Sequence, residues 1–465
     1  MNFVRLHCYW VLLVLGGCVA LGAFAADVGT GSGWRAGVAR VDITPDEPLW
    51  IAGYAARDRA AEGVIHPLWV KALALEDARG QRALLLTTDL IGFPRDMAET
   101  LLARIEATHG VAQSQVILSS SHTHSGPVVK NMLYDIYPLA AEDKALIEQY
   151  SEGLVDRILE AVDDALRELM PVRLEAANGV TRFAVNRRNN NESRITSTHD
   201  FKGPVDHAVP VLRVSREDDT MLAVLFGYAC HATTLNHYEW SGDYPGFAQI
   251  ELEKAYPETA AMFFTGCAGD QNPLPRRTVE LAQQYGRELA AAVDRVLSEP
   301  MQPLEPVFRA AFTEVELALA PPPSRDELVA LAEEGPGYRK RCARRLLETL
   351  DSGQALPTTY SYPIHFWQLG DQTIVALAGE VVVDYAIFLK RLLGHDTFVM
   401  AYAHHVPSYI PSERVLAEGG YEGLSSQILY GLPAPWAAGI EQRIMNEAAE
   451  TAAGLGLPLS EWTEE

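Results

Sequence analysis

The sequence predicts an α/β protein: a layered β-sheet core flanked by helices. Three observations predict it. Short apolar, β-rich runs alternate with helical patterns over most of the chain. The composition, 48% hydrophobic and 21% charged over 465 residues, is that of a globular protein with ample material for a core. Small and polar residues cluster where the strand-like runs stop, the usual location of binding groups in α/β proteins.

Strands are expected at 82–90, 115–119, 209–214, 221–229, 261–265 and 374–378, each short and rich in apolar or β-branched residues. Helical patterns fill 95–109, 142–169, 245–255, 279–297 and 434–453. The charged stretch 324–352 reads as a solvated helical pair inserted between strands, a surface excursion or lid rather than a domain boundary. With no repeat and no low-complexity linker, 26–465 is expected to form one domain.

The first residues carry an address. Arg5 precedes an almost wholly apolar run from 9 to 21, followed by Ala23-Phe24-Ala25. A positive n-region, a short h-region and a small-residue site make 1–25 a secretory signal peptide, so the protein is expected to be exported, periplasmic or secreted. The run is short for a spanning helix of roughly 20 residues. Leu15-Gly16-Gly17-Cys18 offers a second processing site of the lipoprotein kind, which would leave Cys18 acylated. No second spanning segment follows. The formal net charge of -23 argues against a broad nucleic-acid face and against an anionic membrane surface as partner. Cys8 and Cys18 lie in the leader, leaving Cys230, Cys267 and Cys342. A Cys230–Cys267 bridge and two buried free thiols are both open.

The chemistry begins at Ser121-His122-Thr123-His124-Ser125-Gly126-Pro127, after the strand 115–119. On extended backbone alternate residues point the same way, so both imidazoles can face one point and suit zinc. Two histidines hydrogen-bonded in a polar loop is the competing reading. His231 follows the strand 221–229, where a lone histidine is more often structural. Asp243, at a loop-to-helix junction, reads as a cap or turn carboxylate rather than a ligand. In Gly266-Cys267-Ala268-Gly269-Asp270-Gln271-Asn272-Pro273 the small residues could line a pocket with backbone N–H groups, and Asp270 could orient a histidine. Glu380, behind Gly379 after the strand 374–378, is set to project into a site. Tyr409 and Tyr421 sit in Pro- and Gly-rich loops, where tyrosines by default pack.

Taken in order, these segments resemble the neutral (alkaline, non-lysosomal) ceramidase family. The resemblance rests on Gly37-Val38-Ala39-Arg40-Val41-Asp42-Ile43-Thr44-Pro45, Ala52-Gly53-Tyr54-Ala55, Thr88-Asp89-Leu90, the Ser-His-Thr-His-Ser-Gly-Pro motif, Asn186-Arg187, Gly379-Glu380 and the offset of Tyr409 from Tyr421. It implies a zinc-dependent hydrolase of linear amides with one zinc per chain. The implied ligands are His122, His231, Glu380 and Tyr409; the implied groups around the scissile amide are His124, Arg187 and Tyr421. The substrate would be a small-molecule or lipid amide: ceramide, or a non-lipid N-acyl compound such as an N-acyl amino acid, amino sugar or peptide. A different metallohydrolase, using more carboxylates around two metals, and a non-catalytic binding homologue are the other readings. Two departures stand out. Asn272 occupies the place of the family's serine before proline, and Ala403-His404-His405-Val406-Pro407 replaces a small, Ser- and Gly-rich approach to the tyrosine. No residues are left after the helix at 434–453 for the C-terminal immunoglobulin-like domain of full-length ceramidases, so a catalytic domain alone is expected.

Overall fold

The computed structural model describes residues 33–460 apart from 196, 198 and 199. The leader 1–25, with Cys8 and Cys18, lies outside the described residues.

The main sheet runs in the order Ala260–Thr265, Met221–Tyr228, Ala208–Arg216, Met170–Val180, Trp34–Asp42, Trp69–Glu76, Arg82–Thr88, Val116–Ser120; the short strand Gln302–Pro303 pairs with Met170–Val180. Its interior is antiparallel, and only the outermost pair at each edge is parallel. Side-chain alternation divides two cores across this sheet. Ala72, Ala74, Leu84 and Leu86 pack with residues of the helices Arg95–His109 and Ala141–Arg167. Their neighbours Leu73, Leu75, Ala83 and Leu85 join a second cluster with Trp367, Leu369, Ile374, Phe398 and Met400. Those last residues come from a four-stranded sheet ordered Phe308–Ala318, Thr359–Leu369, Gln372–Leu377, Phe398–Met400. Helices Asp243–Ala255 and Val279–Leu297 cover the Met221–Tyr228 end in a third core.

The two edges of the main sheet are drawn together without closing a barrel. Thr265 Oγ1 donates to Ser120 O across the gap at 3.1 Å. The segment leaving Phe398–Met400 ties both edges: Ala401 N donates to Thr265 O at 2.9 Å and His404 N to Leu118 O at 2.7 Å. The C-terminal ends of Val116–Ser120, Met221–Tyr228 and Ala260–Thr265 therefore share one rim with the end of Gln372–Leu377.

The excursion 324–352 is a helical pair, Arg325–Glu334 and Gly337–Asp351, between two adjacent strands of the second sheet. The helix expected at 434–453 begins only at Ile440. Pro435 and the left-handed Gly439, at φ +92°, delay it, and Trp436 is buried with Nε1 donating to Tyr409 O at 2.8 Å. Strands such as Met170–Val180 and Phe308–Ala318 escape the sequence pattern because their side chains alternate between buried and half-exposed positions. Cys230, Cys267 and Cys342 are buried free thiols, so the bridge left open by the sequence does not form.

Thr265→Val removes the hydroxyl that links the two edges and leaves Ser120 O short of a donor. We expect a loss of about 1–3 kcal/mol in urea-unfolding stability, with the far-UV spectrum retained.

Candidate active site

Four chain segments deliver side chains to the rim. Ser121 N still donates to Thr88 O at 2.9 Å, ending the strand, and the next residue turns sharply: His122 has φ +54°. The extended His–X–His geometry expected from sequence therefore does not hold, since one histidine occupies a sparsely populated left-handed conformation. The two rings nevertheless converge, His122 Nε2 and His124 Nε2 lying 3.2 Å apart. His231 follows Met221–Tyr228 and is held by its own N–H on Gln271 O at 3.0 Å. Glu380 and Tyr409 are register partners in a two-residue parallel pairing. Gly379, at φ +82°, allows that pairing, since a Cβ there would sit 2.7 Å from Ser408 O.

Proton positions follow from the partners. His122 Nδ1 lies 2.5 Å from Ile91 O, and His231 Nδ1 lies 2.6 Å from Ala268 O. A carbonyl oxygen can only accept, so each Nδ1 carries the hydrogen and each Nε2 presents a lone pair in the neutral ring. Both lone pairs face the same carboxylate oxygen: Glu380 Oε2 is 3.2 Å from His122 Nε2 and 3.0 Å from His231 Nε2. Burial pushes the His231 imidazole down to about 4, with Arg187 adding to the effect. Burial, then the neighbouring histidines, holds His124 well below the usual range. Burial works against the charge of Glu380; positive charge or a donated hydrogen from His122 and His231 would hold the carboxyl well below the usual carboxylate range, and with both rings neutral a bound cation would take that part. Three acceptors thus converge in a buried site, a donor set that suits a borderline divalent cation.

The remaining expected residues join the same cluster. Tyr409 OH is 3.4 Å from His231 Nε2 and accepts from Arg187 Nη2 at 3.0 Å. Arg187 Nε also donates to Glu422 Oε1 at 2.8 Å. Tyr421 stands edge-on to Tyr409, ring centroids 5.2 Å apart, and is 44% exposed at the mouth. His124 packs against Tyr54, ring centroids 4.7 Å apart and planes tilted by 58°, and its Nδ1 has no partner among the described residues. Gly53 makes room for it: a Cβ there would meet His124 Nδ1 at 2.3 Å, and its φ is +102°. Ligand atoms of His122, His124 and His231 all lie within 4.8 Å of one another, so geometry leaves His124 open as a third imidazole ligand.

One sequence expectation changes, at Asp270, and the one at Asp243 holds. Asp270 touches no histidine; its carboxylate accepts from Asn186 Nδ2 at 2.8 Å and Val383 N at 2.9 Å, and the carbonyl of Ala268 orients His231 instead. Asp243 is a turn carboxylate, accepting from Leu235 N at 2.8 Å and Tyr244 N at 2.6 Å. Residues that sequence reasoning missed surround the cluster. Tyr430 OH donates to Glu380 Oε1. Tyr402 packs its ring 4.3 Å from that of His122, and Arg57 Nη2 donates to His124 O at 2.8 Å. Glu422, beside a flagged tyrosine, carried a signal; Tyr430 and Tyr402 carried none.

Comparison with known proteins gives the family. The family described as neutral/alkaline non-lysosomal ceramidase, N-terminal, matches residues 34–295. The chain belongs to that family. A neutral ceramidase of Drosophila melanogaster is 27% identical over 236 residues, covering 48% of this chain and 32% of the relative. Neutral ceramidase B of Dictyostelium discoideum is 26% identical over 266 residues, covering 53% and 36% respectively. The alignment thus spans only about a third of these relatives' length. Among solved structures, neutral ceramidase from Pseudomonas aeruginosa superposes with a TM-score of 0.70 at 20% identity, covering 93% of this chain and 76% of the other. A ceramidase complexed with C2 gives the same TM-score at 18% identity, over 93% of this chain and 77% of that one. The fold is therefore that of the ceramidase structures, over 93% of this chain and so well beyond the family match.

Tyr430→Phe deletes the hydroxyl that fixes Glu380 while keeping the ring. Loss of such a support should weaken binding of a divalent metal by about 10–100-fold, read by competition with a chromophoric chelator, with thermal stability of the apoprotein little changed.

Proposed function

We propose that this chain is an exported, zinc-dependent hydrolase of linear N-acyl amides. The observation that carries the reading is the convergence of two imidazole Nε2 atoms on one buried carboxylate oxygen, 3.0 and 3.2 Å away. His122, His231 and Glu380 would hold one zinc, with Tyr409 alongside. Their second atoms are already engaged by Ile91 O, Ala268 O and Tyr430 OH, so the ligands are oriented before metal arrives. Bound zinc supplies a Lewis acid that polarises a carbonyl and lowers the pKa of water to about 7.

The chain's own residues supply the rest. Neutral His124, its Nε2 beside His122, can take a proton and pass it to the departing amine. The Tyr421 hydroxyl, at the mouth, can donate to the amide oxygen as negative charge builds there. The Arg187 guanidinium keeps Tyr409 in place and stays charged, well above its ordinary range because Tyr409 and Glu422 outweigh the cost of burial. Glu380 is the carboxylate that approaches the histidine nitrogens, which favours a one-metal amide centre over a carboxylate-rich two-metal phosphoesterase. Export is proposed from the leader pattern in 1–25. No helix among the described residues is long and apolar enough to cross a membrane. Ceramide, the substrate in the relatives' names, is one linear N-acyl amide that fits this chemistry.

Metal analysis of purified protein should give one zinc per chain. His122→Ala should lose both the metal and amidase activity, and full activity in metal-free His122→Ala protein overturns the mechanism. Tyr421→Phe should lower kcat by about 100-fold with a smaller change in KM, the signature of a donor used in the transition state.

A further inference from the structure

Beside the metal cluster lies a cleft of about 560 Å³ whose walls include Arg187 and Tyr421. Most of its lining residues are polar or charged: Leu274 is the one aliphatic side chain among the described residues that form it. Arg188, Glu422 and Arg276 are part of the wall, with side chains only 9%, 6% and 13% exposed. Fixed ion pairs hold them. Arg188 Nη1 donates to Glu422 Oε2 at 2.5 Å, and Arg276 Nη2 donates to Glu192 Oε2 at 2.6 Å. The wall is thus a built, preorganised polar surface.

Two donors in it are left over. Arg276 uses Nε and Nη2 on Glu192, and its Nη1 has no partner among the described residues. Asn272 accepts through Oδ1 from Arg187 Nη1 at 3.5 Å and from Thr233 Oγ1 at 3.4 Å, leaving Nδ2 without one. Asn272 is also the position where this sequence departs from the family's serine, so the departure adds an amide donor to the cleft. An alkyl chain laid here would strip water from these groups and give nothing back. A ligand with acceptor oxygens would satisfy them, and a site built on hydrogen bonds rejects analogues that lack them.

We propose that this cleft is the subsite for a hydrophilic, acceptor-bearing part of the substrate, with Arg276 and Asn272 as specificity-determining residues. Resting on the amidase reading above, it narrows the substrate class to N-acyl compounds with a carboxylate or hydroxyl-rich group on one side of the amide, such as N-acyl amino acids or amino sugars. Amides flanked by long alkyl chains on both sides are disfavoured.

The test compares two amides sharing one acyl chain, N-octanoylserine and N-octanoylsphingosine. For each, kcat/KM is measured on the zinc-loaded enzyme and Kd on His122→Ala by calorimetry. We expect N-octanoylserine to be preferred by about 10-fold or more. Arg276→Ala should weaken its binding about 10-fold more than that of N-octanoylsphingosine, and Asn272→Ser should act in the same direction by a smaller factor. Arg276→Lys, which keeps a cation, should recover part of the loss and guards against misfolding of the alanine variant. Preference for N-octanoylsphingosine, or equal effects of Arg276→Ala on both amides, overturns the inference. If neither amide is cleaved, the amidase reading fails, and the two Kd values on His122→Ala still decide the cleft: tighter N-octanoylserine supports it, equal or weaker binding overturns it.

Discussion

Two imidazole lone pairs and a carboxylate oxygen repel one another at 3.0–3.2 Å unless positive charge lies between them. The backbone enforces this crowding, because Ile91 O and Ala268 O each claim the Nδ1 hydrogen and leave no neutral tautomer able to donate to Glu380. Burial removes water as a remedy: His122, His231 and Glu380 are 1% exposed or less. The fold concentrates acceptors here, and a divalent cation bound between them would turn that crowding into stability. A cation bound there would therefore stabilise the fold by an amount set by its concentration relative to its Kd.

The architecture serves that constraint. His122 and His231 come from strands near opposite edges of a largely antiparallel sheet, so they meet only because the edges are drawn together. Thr265 and the Ala401–His404 segment make that link, and the second sheet brings Glu380 and Tyr409 to the same rim in register. The left-handed backbone at His122 and the missing Cβ at Gly53 complete the fit. Strain at a site is tolerable when its surroundings determine the conformation this fully.

Much of this was legible in the sequence where chemistry and strand ends coincide. His122, His124, His231 and Glu380 each follow an apolar run, and all four converge. The layered α/β class was legible for the same reason. Sheet order was not, since apolar runs look alike whether their neighbours are parallel or antiparallel. Tyr430 and Tyr402 were invisible because an aromatic residue in a loop has no pattern, and its role appears only when a distant chain segment meets it. Asp270 misled for the converse reason: a carboxylate near a histidine in sequence serves Asn186 and Val383 in space.

The most direct test of the account is anomalous diffraction at the zinc edge from crystals of the zinc-loaded protein. One peak should appear among His122 Nε2, His231 Nε2 and Glu380, at about 2.0–2.2 Å from each. A zinc-loaded crystal with no peak there, or with His122 and His231 turned so that Nδ1 rather than Nε2 faces Glu380, would contradict it.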